Sequence, residues 1–338
     1  MAFKIKEIAQ MASVSAATVS RVLNNATNVR EETRKRVLEV IEKNDYQPSA
    51  IAQSLKAKHT HTICLMLPSI QNLAYAPITQ GVENVARSNG YTVVLCNTNE
   101  DDEIEKEYIN VMKSRNVDGF VVTSIMGKHQ NIVDLVNEGT PVVLCSRYSP
   151  EDVGKIEICS IDNYKATYTM ISRMIQRGCK KMAIALGNEK IFYSRERLRG
   201  YKDALRDAGL SFDEGLVMHF DLSNRDFYQK TLDLLDSGRE FDSIFCTSDT
   251  KAIYVMRALH ERGIRIPEDV SVIGFDNIDI ADSIYPSLTT VSQSPFYAGQ
   301  LAAECLIRQI EYKQKNGCLP PAQFHEIEPE LIIRESSR

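Results

Sequence analysis

The sequence predicts an α/β protein of mixed architecture, with an all-α helix-turn-helix headpiece followed by two doubly wound parallel α/β subdomains. Three observations predict it. Residues 1–60 carry apolar side chains at helical spacing in three short stretches. From residue 62 onward, short apolar runs alternate with amphipathic stretches of helical length, as expected of parallel sheets covered on both faces. That alternation restarts near Asp162, which divides the body into two similar halves facing a cleft. The expected boundaries are a headpiece over 1–47, a hinge helix and linker over 48–61, and a body over 62–338. Within the body, 62–161 and 292–325 make the N-terminal subdomain; 162–291 and 326–338 make the C-terminal one.

The chain has 338 residues, enough for two or three domains. No run of about 18 apolar residues is present, so no membrane span is expected. The first residues, MAFKIKEIAQ, lack the apolar core of a secretory leader. The eight cysteines form no C-x-x-C pair, and several sit in apolar runs such as ICLML. A reduced, cytoplasmic setting is expected. The net charge of −5 divides unevenly. Residues 1–60 hold ten Lys/Arg against six Asp/Glu, and the rest holds 30 against 39. A basic head on an acidic body suits a protein that meets phosphates at one end only.

In the headpiece, Ile5, Ile8, Ala9 and Ala12 form the stripe of a first helix. Ser15 is a good N-cap for a second, whose stripe is Val19, Val22 and Leu23. A third helix spans about 30–44, with Val37, Leu38, Val40 and Ile41 on its apolar face and Arg34, Lys35 and Arg36 in its basic stretch. Two short helices joined by a tight turn make a helix-turn-helix. With its stripe inward, the second helix leaves Ala16, Ala17, Thr18, Ser20, Arg21 and Asn24 outside. A helix entering the major groove needs that set. Small side chains let the backbone approach the base edges, an alanine methyl can meet a thymine methyl, and an arginine can bond guanine O6 and N7 together. On a lone helix, the same residues read as ordinary helix formers and a solvated charge.

The surrounding blocks decide between these readings. The run from Ile5 to Ala9, the run from Val14 to Asn24, Glu32 to Val37, and Tyr46 to Leu55 resemble, in order and spacing, the headpiece of the LacI/GalR family of bacterial repressors. The resemblance implies that Ala16, Ala17 and Arg21 read bases of a roughly palindromic double-stranded DNA operator. Ser15, Thr18, Ser20, Asn24 and Asn28 would lie near phosphates or groove edges.

Pro48 stops the preceding element, and residues 49–57, SAIAQSLKA, are Ala-rich but too short for a stable isolated helix. Such a segment folds when packed on a partner or on DNA. Leu55 reads either as a linker leucine packed on the body or as a wedge in the minor groove. The resemblance favours the wedge, with Ala52 and Gln53 beside it.

In the body, strands are expected at 63–68, 92–97, 119–124, 141–146, 157–162, 181–187, 243–249 and 270–276. Helices are expected near 77–89, 102–115, 129–138, 163–177, 195–208, 225–237 and 249–262. In open α/β sheets, ligands collect at the carboxyl ends of strands. Here those ends are polar: Asn72 with Tyr75 beyond it, Ser146-Arg147, Ser248-Asp249 and Asp276-Asn277, with Arg197 in the block Ser194-x-x-Arg197-x-x-Gly200-Tyr201. Carboxylate, amide, guanidinium and aromatic groups together suit a polyhydroxylated ligand. Taken singly, Asp249 reads as a helix cap, Asp276 as a strand end and Arg197 as a surface charge.

The body resembles the effector domain of the same family, of the type I periplasmic-binding-protein-like fold. Its strongest blocks are Arg197 to Leu205, Pro267 to Asp276 and Pro286 to Gln293. The resemblance implies a small effector, a sugar or sugar derivative, bound by Arg197, Asp276, Ser248 and Tyr75, with Asn72, Ser146 and Gln293 behind them. Members commonly carry an acidic residue or Asn where this chain has Ser146. It also implies three crossings near 161, 291 and 325 and a homodimer; no leucine heptad follows Ile333 to suggest a tetramer. A regulator of this family that answers mainly to a protein corepressor, such as a phosphocarrier protein, is the alternative.

No enzyme motif accompanies these features. The region after the first strand reads LPSIQNLAY rather than G-x-G-x-x-G, and no P-loop, H-E-x-x-H or G-x-S-x-G is present. His59-x-His61 reads as linker polarity, and no metal or cofactor is expected.

Overall fold

The computed structural model describes residues 3–23, 26, 28–46, 59–123, 129–221 and 223–338. They fall into two compact units, Met1–Thr60 and His61–Arg338. Asn24, Ala52, Gln53, Leu55 and the expected hinge helix lie outside the described residues.

The first unit holds α1 (Ile5–Met11), α2 (Ala16–Leu23) and α3 (Glu31–Lys43). Ser13 ends α1 in the left-handed region at φ 54°. There the Val14 N–H donates to Ala9 O (2.9 Å) and the Ser13 N–H to Gln10 O (3.1 Å), so the freed carbonyls of α1 are satisfied. Ser15 Oγ then accepts from the Thr18 N–H (3.1 Å) and opens α2. Ile8, Ala9, Ala12, Val19, Val22, Val37 and Tyr46 form one buried core. Leu38 departs from expectation, since it is 46% exposed. Val37, Val40 and Ile41 share one stripe of α3, and residue 38 is turned about 100° from Val37 around the helix. Two cations of the basic stretch serve the fold. Arg36 Nε donates to Ala12 O (3.0 Å), and Arg34 donates to Ala26 O.

The second unit contains two parallel sheets. The larger takes β1 (Thr62–Leu67), β2 (Thr92–Asn97), β3 (Gly119–Val122), β4 (Val142–Cys145), β5 (Glu157–Ser160) and β11 (Phe324–Glu326) in the order β11-β5-β4-β3-β1-β2. The smaller takes β6 (Met182–Ala185), β7 (Val217–Met218), β8 (Ser243–Cys246) and β9 (Ser271–Ile273) in the order β7-β6-β8-β9. Helices α4 (Tyr75–Ser88), α5 (Asp102–Ser114), α6 (Gln130–Asn137) and α11 (Pro295–Asn316) belong to the first half. Helices α7 (Asn163–Gln176), α8 (Phe192–Asp207), α9 (Asp226–Asp236) and α10 (Asp249–Glu261) belong to the second. An antiparallel ribbon of β10 (Thr290–Ser292) and β12 (Glu330–Ile332) joins them. The chain passes between halves after β5, after β10 and between β11 and β12.

Strand periodicity explains why both sheet faces are covered. On β1, Ile63, Leu65 and Leu67 enter one core cluster with α4 and α11, while Cys64 and Met66 enter another with Ile109, Met112, Ile132 and Leu135. Helices α4 and α11 cross with almost no space between backbones. A Cβ on Gly81 would lie 2.1 Å from Phe296 O, and one on Gly299 would lie 2.2 Å from Ile78 O. The buried Glu157 ties β5 to this layer, since it accepts from Arg308 and from the Gln323 N–H (3.2 Å) and meets His325 Nε2 at 2.8 Å. No helix among the described residues is long and apolar enough to cross a membrane.

The sequence-based elements need four corrections. Helix α11 and strand β7 were not expected. Helix α4 starts at Tyr75 rather than near 77, and α8 at Phe192 rather than near 195.

Candidate functional site

The carboxyl ends of both sheets border one cleft of about 610 Å³. That volume suits a small organic ligand. All seven expected ligand positions, Asn72, Tyr75, Ser146, Arg197, Ser248, Asp276 and Gln293, line it. They arrive from separate elements: the loop after β1, the start of α4, the ends of β4 and β9, α8, the cap of α10 and the residue after β10.

Arg197 is 4% exposed. Its Nε donates to Asn163 Oδ1 (2.9 Å) at the start of α7, and its Nη1 to Thr247 O (2.7 Å) after β8. Its guanidinium lies over the Phe275 ring at 3.5 Å and over Tyr193 at 4.8 Å. Nη1 stands 3.8 Å from Asp276 Oδ1. Burial lowers the Arg197 pKa and raises that of Asp276, each partly offset by the charge of the other. Gly200 makes this placement possible, because a Cβ there would lie 2.5 Å from Tyr164 O on α7. Ser194 and Tyr201 of the same block do not face the cleft. Ser194 is fully buried behind Gly187, and the Tyr201 hydroxyl donates to Met182 O (2.6 Å) in the core.

Asp276 has φ 121° and Ser146 φ 70°, a strained backbone for non-glycine residues. Both are held by backbone bonds, Asp276 N–H to Val291 O (2.8 Å) and Ser146 N–H to Cys159 O (2.9 Å). Gln293 Nε2 donates to Asp276 Oδ1 (2.7 Å), orienting the carboxylate. Tyr75 is buried, which raises its pKa, and its ring lies 5.8 Å from the Arg147 guanidinium. Asn72 Oδ1 accepts from the Ala74 N–H (3.1 Å) and shapes the loop before α4. Ser248 caps α10, its Oγ accepting from the Lys251 N–H (3.4 Å).

Two buried cations in the cleft were not singled out from the sequence as contacts. Arg147 donates to Glu100 Oε1 (2.9 Å) and lies over Tyr193 at 5.3 Å. Lys251 is 7% exposed in the first turn of α10, and its Nζ reaches Ser248 Oγ at 3.1 Å. Burial pushes its pKa down to about 8. Asp249 beside it is fully buried and faces inward, accepting from Thr290 Oγ1 (2.6 Å) and the Ile278 N–H (2.9 Å). Burial and the nearby Asp276 charge push its pKa up to about 7.

In the first unit, Ser15, Ala17, Arg21 and Asn28 are exposed, and Thr18 and Ser20 are half-buried. Ala16 was expected outside but is half-buried against the core. The outward face of α2 therefore presents Ala17 and Arg21, one turn apart.

Two family models match the chain. Residues 4–49 match the bacterial regulatory proteins of the lacI family, and residues 60–328 match the periplasmic binding proteins and sugar binding domain of the LacI family. The chain belongs to the LacI family. It is 35% identical, over the whole of both chains, to the HTH-type transcriptional regulator RegA of Clostridium saccharobutylicum. The structure of a complex of the transcriptional regulator CelR with cellobiose is 28% identical and covers 99% of each chain at a TM-score of 0.73. A crystal structure of the Lac repressor dimer bound to operator and the anti-inducer ONPF shares the fold at a TM-score of 0.87, with 22% identity and 99% of each chain covered. This LacI-family chain is a transcription regulator with a helix-turn-helix headpiece and a periplasmic-binding-protein-like body.

Proposed function

We propose that this chain is a cytoplasmic, homodimeric repressor of genes for carbohydrate or related metabolism. It binds a roughly palindromic operator, and its operator affinity is set by a small ligand, a sugar or sugar derivative, in the cleft of the body. The observation that carries this reading is the convergence of Asn72, Tyr75, Ser146, Arg197, Ser248, Asp276 and Gln293 on one cleft. Arg197 and Asp276 there offer a fixed donor and acceptor. Polar groups positioned in a concave site suit a ligand recognised through its hydroxyls. The cellobiose complex of CelR supports a sugar as the ligand class.

On the DNA side, Ala17 and Arg21 read bases, with Ala16 at the edge of the contact. Ser15, Thr18, Ser20, Asn24 and Asn28 approach phosphates or groove edges. Ala52, Gln53 and Leu55 act in the minor groove. Cleft and headpiece are coupled through a difference in ligand affinity between the DNA-competent and DNA-incompetent states.

The test is operator binding by fluorescence anisotropy across a panel of sugars and sugar derivatives. The wild type is expected to change operator affinity with at least one ligand. Arg197→Ala and the near-isosteric Asp276→Asn are expected to bind operator but to lose that response. Intact responses in both variants would overturn the placement of the site.

A further inference from the structure

The charges on the cleft wall do not balance. Arg147 is matched by Glu100 at 2.9 Å. Arg197 faces Asp276 at 3.8 Å. Lys251 is as buried as either arginine, yet among the described residues no carboxylate lies within ion-pair distance of its Nζ. The nearest acid in sequence, Asp249, has both oxygens engaged elsewhere, one by Thr290 and one by the Ile278 N–H. Asp276 attracts Lys251 from beyond contact distance, but it also faces Arg197 and accepts from Gln293, so one carboxylate is shared between two buried cations. A buried ammonium without a counter-charge is costly in a folded protein, so nearly all buried charges are paired. Lys251 also stands in the first turn of the 13-residue helix α10, at the positive end of the helix dipole. Both features disfavour the empty cleft, and both favour an anion inside it.

We propose that the cleft takes a polyol bearing an oxyanion, a phosphate ester or a carboxylate, and that Lys251 with the first turn of α10 receives the negative charge. The inference rests on the reading of the cleft as the effector site and narrows its ligand class. The hydroxyls fall to Asp276, Gln293 and Asn72. The oxyanion sits toward Ser248 and Lys251, where a hydroxyl and an ammonium meet at the N-terminal end of α10. Bound there, it supplies the contacting counter-charge that Lys251 lacks, so part of its affinity comes from relieving the cost of burying the ammonium. A neutral sugar fills the same volume but leaves Lys251 with only its share of Asp276.

The experiment uses the full chain and its Lys251→Met variant. Thermal unfolding is measured first in inorganic phosphate and in chloride at matched ionic strength. Phosphate is expected to raise the melting temperature of the wild type and to leave that of the variant unmoved. A phosphate shift equal in both proteins places the anion elsewhere, on the basic headpiece for example, and overturns the proposal. Titrations then compare uncharged aldoses with their phosphate esters and their aldonates on the same carbon skeletons. The acidic members are expected to bind the wild type at least tenfold more tightly than the parent sugars, and the variant to lose that preference. Whether ester or aldonate binds better identifies the oxyanion. If neutral sugars bind as tightly as their acidic forms and Arg197→Ala abolishes both, the oxyanion proposal fails while the effector cleft stands. If phosphate and every sugar fail to bind, both readings fail. Cooperative unfolding of Lys251→Met without ligand, at or above the wild-type temperature, shows that the variant is folded.

Discussion

At the scale of single residues, Lys251 has a measurable signature without any ligand. Its pKa falls to about 8 from the ordinary 10.5, first through burial. Asp276 and Cys246 pull it up, and Arg197 and Arg147 push it down. Below about pH 8 the ammonium is charged in both the folded and the unfolded chain, so its burial penalty is felt in full. Between about 8 and 10.5 the folded chain sheds the proton while the unfolded chain keeps it, and the penalty fades as pH rises. The gap corresponds to on the order of 3 kcal/mol. Lys251→Met is therefore expected to gain most over wild type near neutral pH, with the advantage shrinking toward pH 10. Denaturant unfolding at several pH values reads this directly, and a gap that stays constant across the range would contradict it. Asp249 works in the opposite window. Its pKa is raised to about 7, so its penalty is absent below the ordinary 3.8 and complete above about 7. The sequence held a signal for Lys251. It lies four residues before Val255 and eight before Leu259, in register with the buried stripe of α10. A charge in that register belongs to the interior. The polar residues at strand ends mark the cleft in the sequence, and Lys251 lies three residues past the cap Ser248, outside that pattern.

At the scale of elements, the crossing of α4 and α11 gives the sharpest expectation. Alanine is intrinsically favoured over glycine inside a helix by about 1 kcal/mol. Gly81→Ala and Gly299→Ala are nevertheless expected to destabilise the full chain by about 1–3 kcal/mol or more, because each methyl would meet a carbonyl oxygen near 2 Å. Thermal melts of both variants test this, and a gain in stability from either would show that the helices can part without cost. The same crossing shows what was legible in the sequence. Most body strands and helices were, because continuous apolar runs of strand length alternate with stretches of helical period. Helix α11 was not, although Ala298, Ala302, Leu306 and Ile310 repeat every four residues. Its stripe is half alanine, and small residues give a faint hydrophobic signal even where backbones pack most tightly. Strand β7 has two residues, too few to show any period. In the headpiece the stripes of α1 and α2 were legible. Leu38 was misplaced because an apolar residue beside a stripe was counted within it, and Ala16 because a small side chain fits core or groove equally well.

At the scale of the whole molecule, charge and chemistry are divided between two units. The basic first sixty residues carry the exposed Arg21 on α2, and the acidic remainder carries the cleft. Arg21→Ala is expected to lower operator affinity by about 1–3 kcal/mol and to relax sequence preference, with the ligand midpoint of the body unchanged. Anisotropy at fixed salt on matched and mismatched operators measures the first. Ligand-dependent melting measures the second. Unchanged operator preference would remove α2 from its reading role. The cleft was legible at this scale because it collects strand ends, which are short, polar and easy to find. How its charges pair was not, since Arg147 with Glu100 and Arg197 with Asp276 join residues far apart in the chain.

The contact between α4 and α11 also bears on descent. At Gly81 and at Gly299 the obstacle to a larger residue is the main chain of the opposite helix. A side chain in the way could shrink in a later generation and restore the fit; a carbonyl cannot. Neither position can be released by a change at the other, so a lineage that keeps this packing keeps both glycines, and the pair leaves no trace of correlated exchange.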